Sequence, residues 1–164
     1  MEPRAGPQRG PEAGLQAGIQ TTRPLTDGLF RERTDGSIVL LGGYSPSSGR
    51  THFPRVAACP YTGADDVEEI ELPAEGTLWG WTGVSARPPG YDGPIPFGFG
   101  IVELTDGLRV ITRLTEDDPA NLTFGAAMHL VAVPLHADED GATVITYAFE
   151  ATSSSDRSDT GRDR

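Results

Sequence analysis

Apolar and polar positions along this chain alternate with a period of two far more often than they recur with a helical period, and that pattern predicts strands. Ile38-Val39-Leu40-Leu41 is a short buried run set between Asp35-Gly36 and Gly42-Gly43. From Gly76 to Val84 strict alternation places Thr77, Trp79 and Trp81 on one face and Leu78, Thr82 and Val84 on the other, while Gly80 and Gly83 allow a bend or bulge. Phe97 to Leu104 and Leu108 to Leu114 flank Thr105-Asp106-Gly107, the clearest hairpin, with Phe97, Phe99 and Ile101 facing one way and Gly98, Gly100, Val102 and Leu104 the other. Gly125 to Leu135 and Ala142 to Phe149 are joined by the acidic turn Asp138-Glu139-Asp140-Gly141. Asp117 to Leu122 predicts a helical turn within a short link. Five short strands with glycine bends after residue 74 predict an all-β, five-stranded OB-type barrel. Upstream, Leu25 to Arg33 predicts a short N-terminal helical segment of one or two turns, capped by Thr26 or Asp27, although Gly28 opposes it.

The two ends break the pattern. Residues 1–24 are Gly, Pro, Gln and Arg without periodicity, and residues 151–164 are mostly Ser, Asp and Arg. Neither has the apolar surface to offset the entropy of ordering, so both are expected to be disordered tails. This leaves an expected organisation of a 25–73 arm and a 74–150 barrel. No apolar run approaches twenty residues and none follows Met1 closely, so neither a membrane span nor a secretory signal is expected, and the cytoplasm is the expected location. Residues 25–150 hold 19 acidic and 7 basic side chains, a net charge of −12, which disfavours a phosphate backbone as ligand. The single cysteine, Cys59, excludes an internal disulfide and a four-thiolate metal cage.

Between Gly42 and Gly63 stand Ser45-Pro46-Ser47-Ser48-Gly49, Phe53-Pro54-Arg55 and Cys59-Pro60-Tyr61-Thr62-Gly63. This series resembles a zinc ribbon of the form C-x-x-C-G, F-P, C-P-x-C-G, with Ser45, Ser48 and Thr62 at three of the four thiol positions. Continued by Gly76 to Thr82, Arg87-Pro88-Pro89-Gly90-Tyr91 and Phe99 to Leu104, it resembles the OB-fold plus rubredoxin-like zinc-ribbon family associated with thiolase-like acyl-CoA enzymes. That family includes the small subunit of benzoylsuccinyl-CoA thiolase and the OB partner of steroid side-chain aldolases and hydratases. The resemblance spans about Leu25 to Ala151. It implies a non-catalytic accessory subunit that docks on a thiolase-like, aldolase-like or hydratase-like enzyme of lipid or steroid metabolism and shapes its acyl-CoA site. It further implies partner or acyl-CoA contacts at Trp79, Trp81, Arg87, Pro88, Pro89, Tyr91, Phe97 and Phe99. Hydroxyls do not ionise near neutral pH and are poor zinc ligands, so the ribbon is expected to be degenerate and metal-free, with no cofactor. Packing by Tyr44, Phe53, Val56, Tyr61 and Ile70 would then hold it. An improvised metal site of His52, Cys59 and a carboxylate such as Asp65 is the competing arrangement.

Other chemistry is weaker. No basic cluster in sequence activates Cys59, which favours a structural thiol over a nucleophile. His129 lies in an apolar strand and His136 before an acidic turn, positions more often packed or solvated than catalytic. Asp65 to Glu71 and Glu116 to Asp118 are runs of a solvated face rather than a carboxylate pair. Trp79, Trp81, Phe97 and Phe99 would form a base-stacking platform if all faced outward, so a single-stranded nucleic-acid binder is one alternative function and a free-standing acyl-CoA-binding module another.

Overall fold

A computed structural model describes residues 21–152 of the chain. Of the two expected tails, 1–24 and 151–164, residues 1–20 and 153–164 lie outside the described residues. Among the described residues ten strands form two sheets: β1 Thr22–Pro24, β2 Phe30–Glu32, β3 Ile38–Ser45, β4 Arg50–His52, β5 Glu68–Glu71, β6 Glu75–Val84, β7 Phe97–Leu104, β8 Arg109–Leu114, β9 Ala127–Ala137 and β10 Thr143–Ala151. The only helical element among the described residues is one 3-10 turn, Pro119–Asn121, which the Asp118 side chain caps by accepting from the Ala120 N–H at 2.9 Å.

The five strands after residue 74 close on themselves. β6 pairs with β7 and β9, β7 with β8, β8 runs parallel to β10, and β10 pairs with β9. This is the small OB barrel that the alternation predicted. Gly107 and Gly141 take positive φ angles of 86° and 80° in the two predicted turns, which a β-carbon would resist. Inward positions build one core, in which Leu78, Val102, Ala148 and Phe149 are fully buried. Burying a side chain such as Phe149 contributes about 1.5–3 kcal/mol by transfer alone.

The arm is a four-stranded sheet in which β3 is the central strand and pairs antiparallel with β2, β4 and β5. Its base belongs to the barrel core, since Phe30, Ile38, Leu40 and Leu72 join the cluster around Leu78 and Leu104. Phe53 adds an edge-on contact to Tyr147 of β10, with ring centroids 5.5 Å apart. The opposite face carries ions: Arg31 reaches Glu69 at 2.7 Å and Glu71 at 3.2 Å, and Arg33 and Arg55 join the same two carboxylates.

Two local expectations are corrected. Leu25 to Arg33 forms no helix: Gly28 adopts φ +78°, ending any helical turn, and Phe30–Glu32 pairs antiparallel with Ile38–Leu40, which takes Phe30 into the core. A lone core aromatic carried on a hairpin outweighs a weak capping signal. The expected tail also ends earlier, because Thr22–Pro24 adds to β10 as a parallel strand and Arg23 pairs with Asp138 at 2.5 Å. Three residues at a sheet edge leave no periodicity to read, and an edge tolerates Pro24.

Candidate functional site

The predicted contact residues divide into three groups, and a bulge in β6 decides the division. Register shifts between Leu78 and Gly80, so Trp79 is the extra residue and everything after it changes face. Trp79 points outward and is 42% exposed, whereas Trp81 turns inward against the barrel core and donates its indole N–H to the Pro119 carbonyl at 3.0 Å. Alternation had placed the two rings together, and the bulge separates them. Gly80 and Gly83 signalled that a bulge was allowed, but not where the phase changes. Gly98 and Gly100 make room beneath: a β-carbon at Gly100 would lie 2.6 Å from the Gly80 carbonyl, and one at Gly98 would collide with that of Glu116.

The second group is the proline-rich loop. Arg87 donates from Nη1 to the carbonyls of Tyr91 and Gly93, each at 2.9 Å, so the loop folds around its own guanidinium. Tyr91 lies over Phe97 with centroids 5.0 Å apart, and the Arg113 guanidinium sits 4.7 Å from the Phe97 centroid while donating to the Tyr91 hydroxyl. Phe97 is on the outward face of β7 yet buried, because this cluster covers it. Pro88 is half-buried, and Pro89 is exposed at the loop tip. Arg113 is a member that sequence reasoning missed; its position opposite Phe99 in the hairpin register was the available signal.

The third group is the open face of the barrel, where Trp79 and Phe99 are each 42% exposed. Arg109 stacks 4.1 Å from the Trp79 ring and pairs with Glu103 at 2.8 Å. Of the four rings of the base-stacking alternative, Trp81 and Phe97 are therefore turned in or covered, and Trp79 already carries a guanidinium.

At the arm tip the four ribbon positions converge through hydrogen bonds. The buried Ser45 hydroxyl donates to Asp66 at 2.7 Å, Asp66 also accepts from the Ser47 N–H at 2.7 Å, and the hydroxyls of Ser47 and Thr62 lie 3.1 Å apart. Cys59 Sγ lies 3.5 Å from the Ser48 hydroxyl, and the backbone closes its turn from Gly63 N–H to Cys59 carbonyl at 2.8 Å. Hydrogen bonds from the Ser45 hydroxyl and the Ser47 N–H hold Asp66 below the usual carboxylate range. Burial pushes the Cys59 thiol up, but hydroxyls of Ser45, Ser48 and Thr62 and the Tyr61 backbone outweigh it and bring the thiol down to about 6. Sequence reasoning grouped these hydroxyls with Cys59 but sought a cation to activate it; the hydroxyls lower a thiol by the same preference for its charged form. Ser45 has one proton to give, so Asp66 and Cys59 compete for it.

One thiol, three hydroxyls and a carboxylate already engaged by two donors do not fit a structural zinc site. The improvised alternative does not assemble either: among the described residues no three His, Cys, Asp or Glu side chains come together as a metal site. His52 is buried against Gly43 with both ring nitrogens unpartnered. Of the side chains expected to hold the arm, Phe53 and Ile70 pack against the core, whereas Val56 and Tyr61 are 44% and 49% exposed. Tyr61 instead offers its ring to Arg50, 4.8 Å away. His129 is a surface residue paired with Glu150 at 3.2 Å, and His136 lines an open polar cleft with Arg23, Asp92 and Asp138.

Known proteins resemble this chain. Residues 69–133 match the family model described as the ChsH2 C-terminal OB-fold domain. A DUF35 domain-containing scaffold protein of Pyrococcus furiosus is 30% identical over 111 residues, covering 67% of this chain and 81% of that protein. The benzoylsuccinyl-CoA thiolase subunit BbsA of Thauera aromatica is 25% identical, covering 74% of this chain and 83% of the subunit. Among solved structures, the Ltp2-ChsH2(DUF35) aldolase superposes with a TM-score of 0.52 at 23% identity, covering 69% of this chain and 84% of that one, and this likeness supports the fold. With a scaffold protein at 30% identity matched over four fifths of its length, and with the ribbon and barrel motifs in their order, the chain belongs to the DUF35 OB-fold family.

Proposed function

We propose that the chain is a non-catalytic accessory subunit of a thiolase-like acyl-CoA enzyme, acting in the cytoplasm, with the catalytic groups on its partner. The observation that carries this reading is the open barrel face, where Trp79 and Phe99 remain exposed on a sheet whose core is otherwise closed. Large rings gathered with Ile111 on one face of a rigid barrel form the kind of contiguous apolar surface that marks an interaction site. The relatives named as scaffolds and as a thiolase subunit support the same role. The Arg87–Tyr91 loop, braced by its own carbonyls, is the element proposed to reach the edge of the partner's acyl-CoA site. Its internal hydrogen bonds lower the entropy lost on contact. A cytoplasmic fold of 74–150 with a 25–73 arm remains the proposed organisation.

The test is purification of the tagged chain from its own cells, followed by assay of the captured complex and of the isolated chain for acyl-CoA turnover. A co-purifying acyl-CoA enzyme, active in the complex while the isolated chain is inert, is the expected result. Turnover by the isolated chain would refute the accessory role.

A further inference from the structure

We infer that the outward face of β6, β7 and β8 docks a partner-protein surface that presents apolar side chains flanked by carboxylates. This rests on the accessory-subunit reading and assigns the place and chemistry of the contact.

The hairpin registers lay out the face row by row. Thr77, Glu103 and Arg109 share one row, Gly80, Ile101 and Ile111 the next, and Thr82, Phe99 and Arg113 the third. Outward side chains in adjacent rows are neighbours, so these positions form one surface. Its middle is apolar: Ile111 is 61% exposed, Phe99 and Trp79 are each 42% exposed, and Ile101 is half-buried between them. Gly80 ends the apolar row in bare backbone next to Trp79, with nothing within 4 Å of where its β-carbon would stand.

Charge selects the occupant. The chain carries a net charge of −11, yet the three rows hold Arg109 and Arg113 against one carboxylate, Glu103, with Arg87 beyond them on the Tyr91 loop and Glu75 at the far end of β6. Glu103 neutralises Arg109 alone. Among the described residues Arg87 and Arg113 pair with no carboxylate: carbonyls hold the first, and the Tyr91 hydroxyl and Phe97 ring hold the second. Both guanidiniums are thus oriented before any partner arrives, and each retains free N–H donors suited to a carboxylate. A second copy docked face to face would set these arginines against one another. Nucleic acid would find Trp79 already stacked under Arg109. A protein surface with carboxylates around an apolar centre satisfies both halves of the face, steering by charge and seating by burial.

The experiment uses the acyl-CoA enzyme captured by the wild-type chain, identified by mass spectrometry and then titrated against full-length variants. Arg87→Glu/Arg113→Glu and, separately, Ile111→Glu are expected to weaken the complex about tenfold or more, the double variant also showing a shallower salt dependence. Ile111→Glu guards against a misfolded loop, since its side chain is mostly in solvent, and circular dichroism melts confirm that each variant is folded. Arg31→Glu, in the arm's ion network, is expected to bind like wild type. Capture of an acyl-CoA enzyme that all variants bind equally would overturn the docking face while leaving the accessory role standing. Capture of no acyl-CoA enzyme by the wild type would overturn both. Free coenzyme A that binds the isolated chain and is lost in the double variant, with partner binding unchanged, would reassign the two arginines and overturn the inference.

Discussion

The barrel and the arm tip are held by opposite means. In the barrel, Leu78, Val102 and Phe149 are fully buried apolar side chains around which five strands close. At the tip, the fully buried side chain is Ser45, and what surrounds it is Asp66, Ser47, Ser48, Thr62 and Cys59 joined by hydrogen bonds. Apolar burial is non-directional and tolerates modest rearrangement, whereas a buried hydroxyl network is stable only while every member is satisfied. The comparison teaches that a buried cluster of hydroxyls and one thiol needs a carboxylate as acceptor, where an apolar core needs no partner of fixed direction.

The largest effect comes from exchanging those hydroxyls for thiols. Ser45→Cys, Ser48→Cys and Thr62→Cys together with the native Cys59 should give a four-thiolate tip that takes up one zinc per chain. Structural zinc supplies on the order of 10–16 kcal/mol of binding free energy. Elemental analysis and a melting temperature that falls on addition of chelator are the readouts; a triple variant that folds but binds no zinc would show that the four positions do not form a ribbon cage.

The barrel half of the comparison predicts that Phe149→Ala costs about 3–5 kcal/mol in urea denaturation. A loss below about 1 kcal/mol would mean that the core is not where the stability lies.

The two halves should also separate by pH. Cys59 titrates at about 6 when folded against an ordinary 9.0, a depressed value, so its contribution to stability is fully present above 9.0 and is lost as pH falls through about 6. Asp66 adds a second, more acidic limb, because its folded value lies below the ordinary 3.8: that contribution is present above 3.8 and disappears as pH falls through the lower folded value. Thiolate absorbance should show the first transition, and Cys59→Ala should remove the corresponding slope from the denaturation midpoint. A thiol that titrates near 9 would remove the hydroxyl account of its environment.

Smaller effects follow. Ser45→Ala leaves Asp66 with one donor fewer and should cost about 1 kcal/mol. Arg109→Ala, which uncovers Trp79 on the barrel surface, should cost about 0.5–1 kcal/mol, with a change in tryptophan fluorescence. If the two costs were reversed in order, the tip would depend less on its network than the barrel does on a surface stack.

Legibility of the sequence varied with how local each signal was. The β7–β8 hairpin, the Asp138–Gly141 turn and the turn at Pro119 were all readable, because alternation, Asp-Gly turns and an Asp cap act within a few residues. The ribbon motif placed Ser45, Ser48, Cys59 and Thr62 correctly as neighbours, but Asp66, which lies outside that motif, emerged only from the fold. Of the contact residues, Trp79 and Phe99 face outward, a side that alternation left open, while Trp81 does not, since one bulged residue inverts every position after it.

Alternation and turn chemistry by themselves determined that this chain is all-β and where its central strands lie, because each strand's period of two is written into consecutive residues. The tertiary structure alone decided that Phe30 enters the core as a strand rather than a helix, that Phe97 is covered from outside, and that Arg87 and Arg113 meet at Tyr91. Those outcomes depend on pairings between residues far apart in the chain, whose energies exist only once the strands have closed.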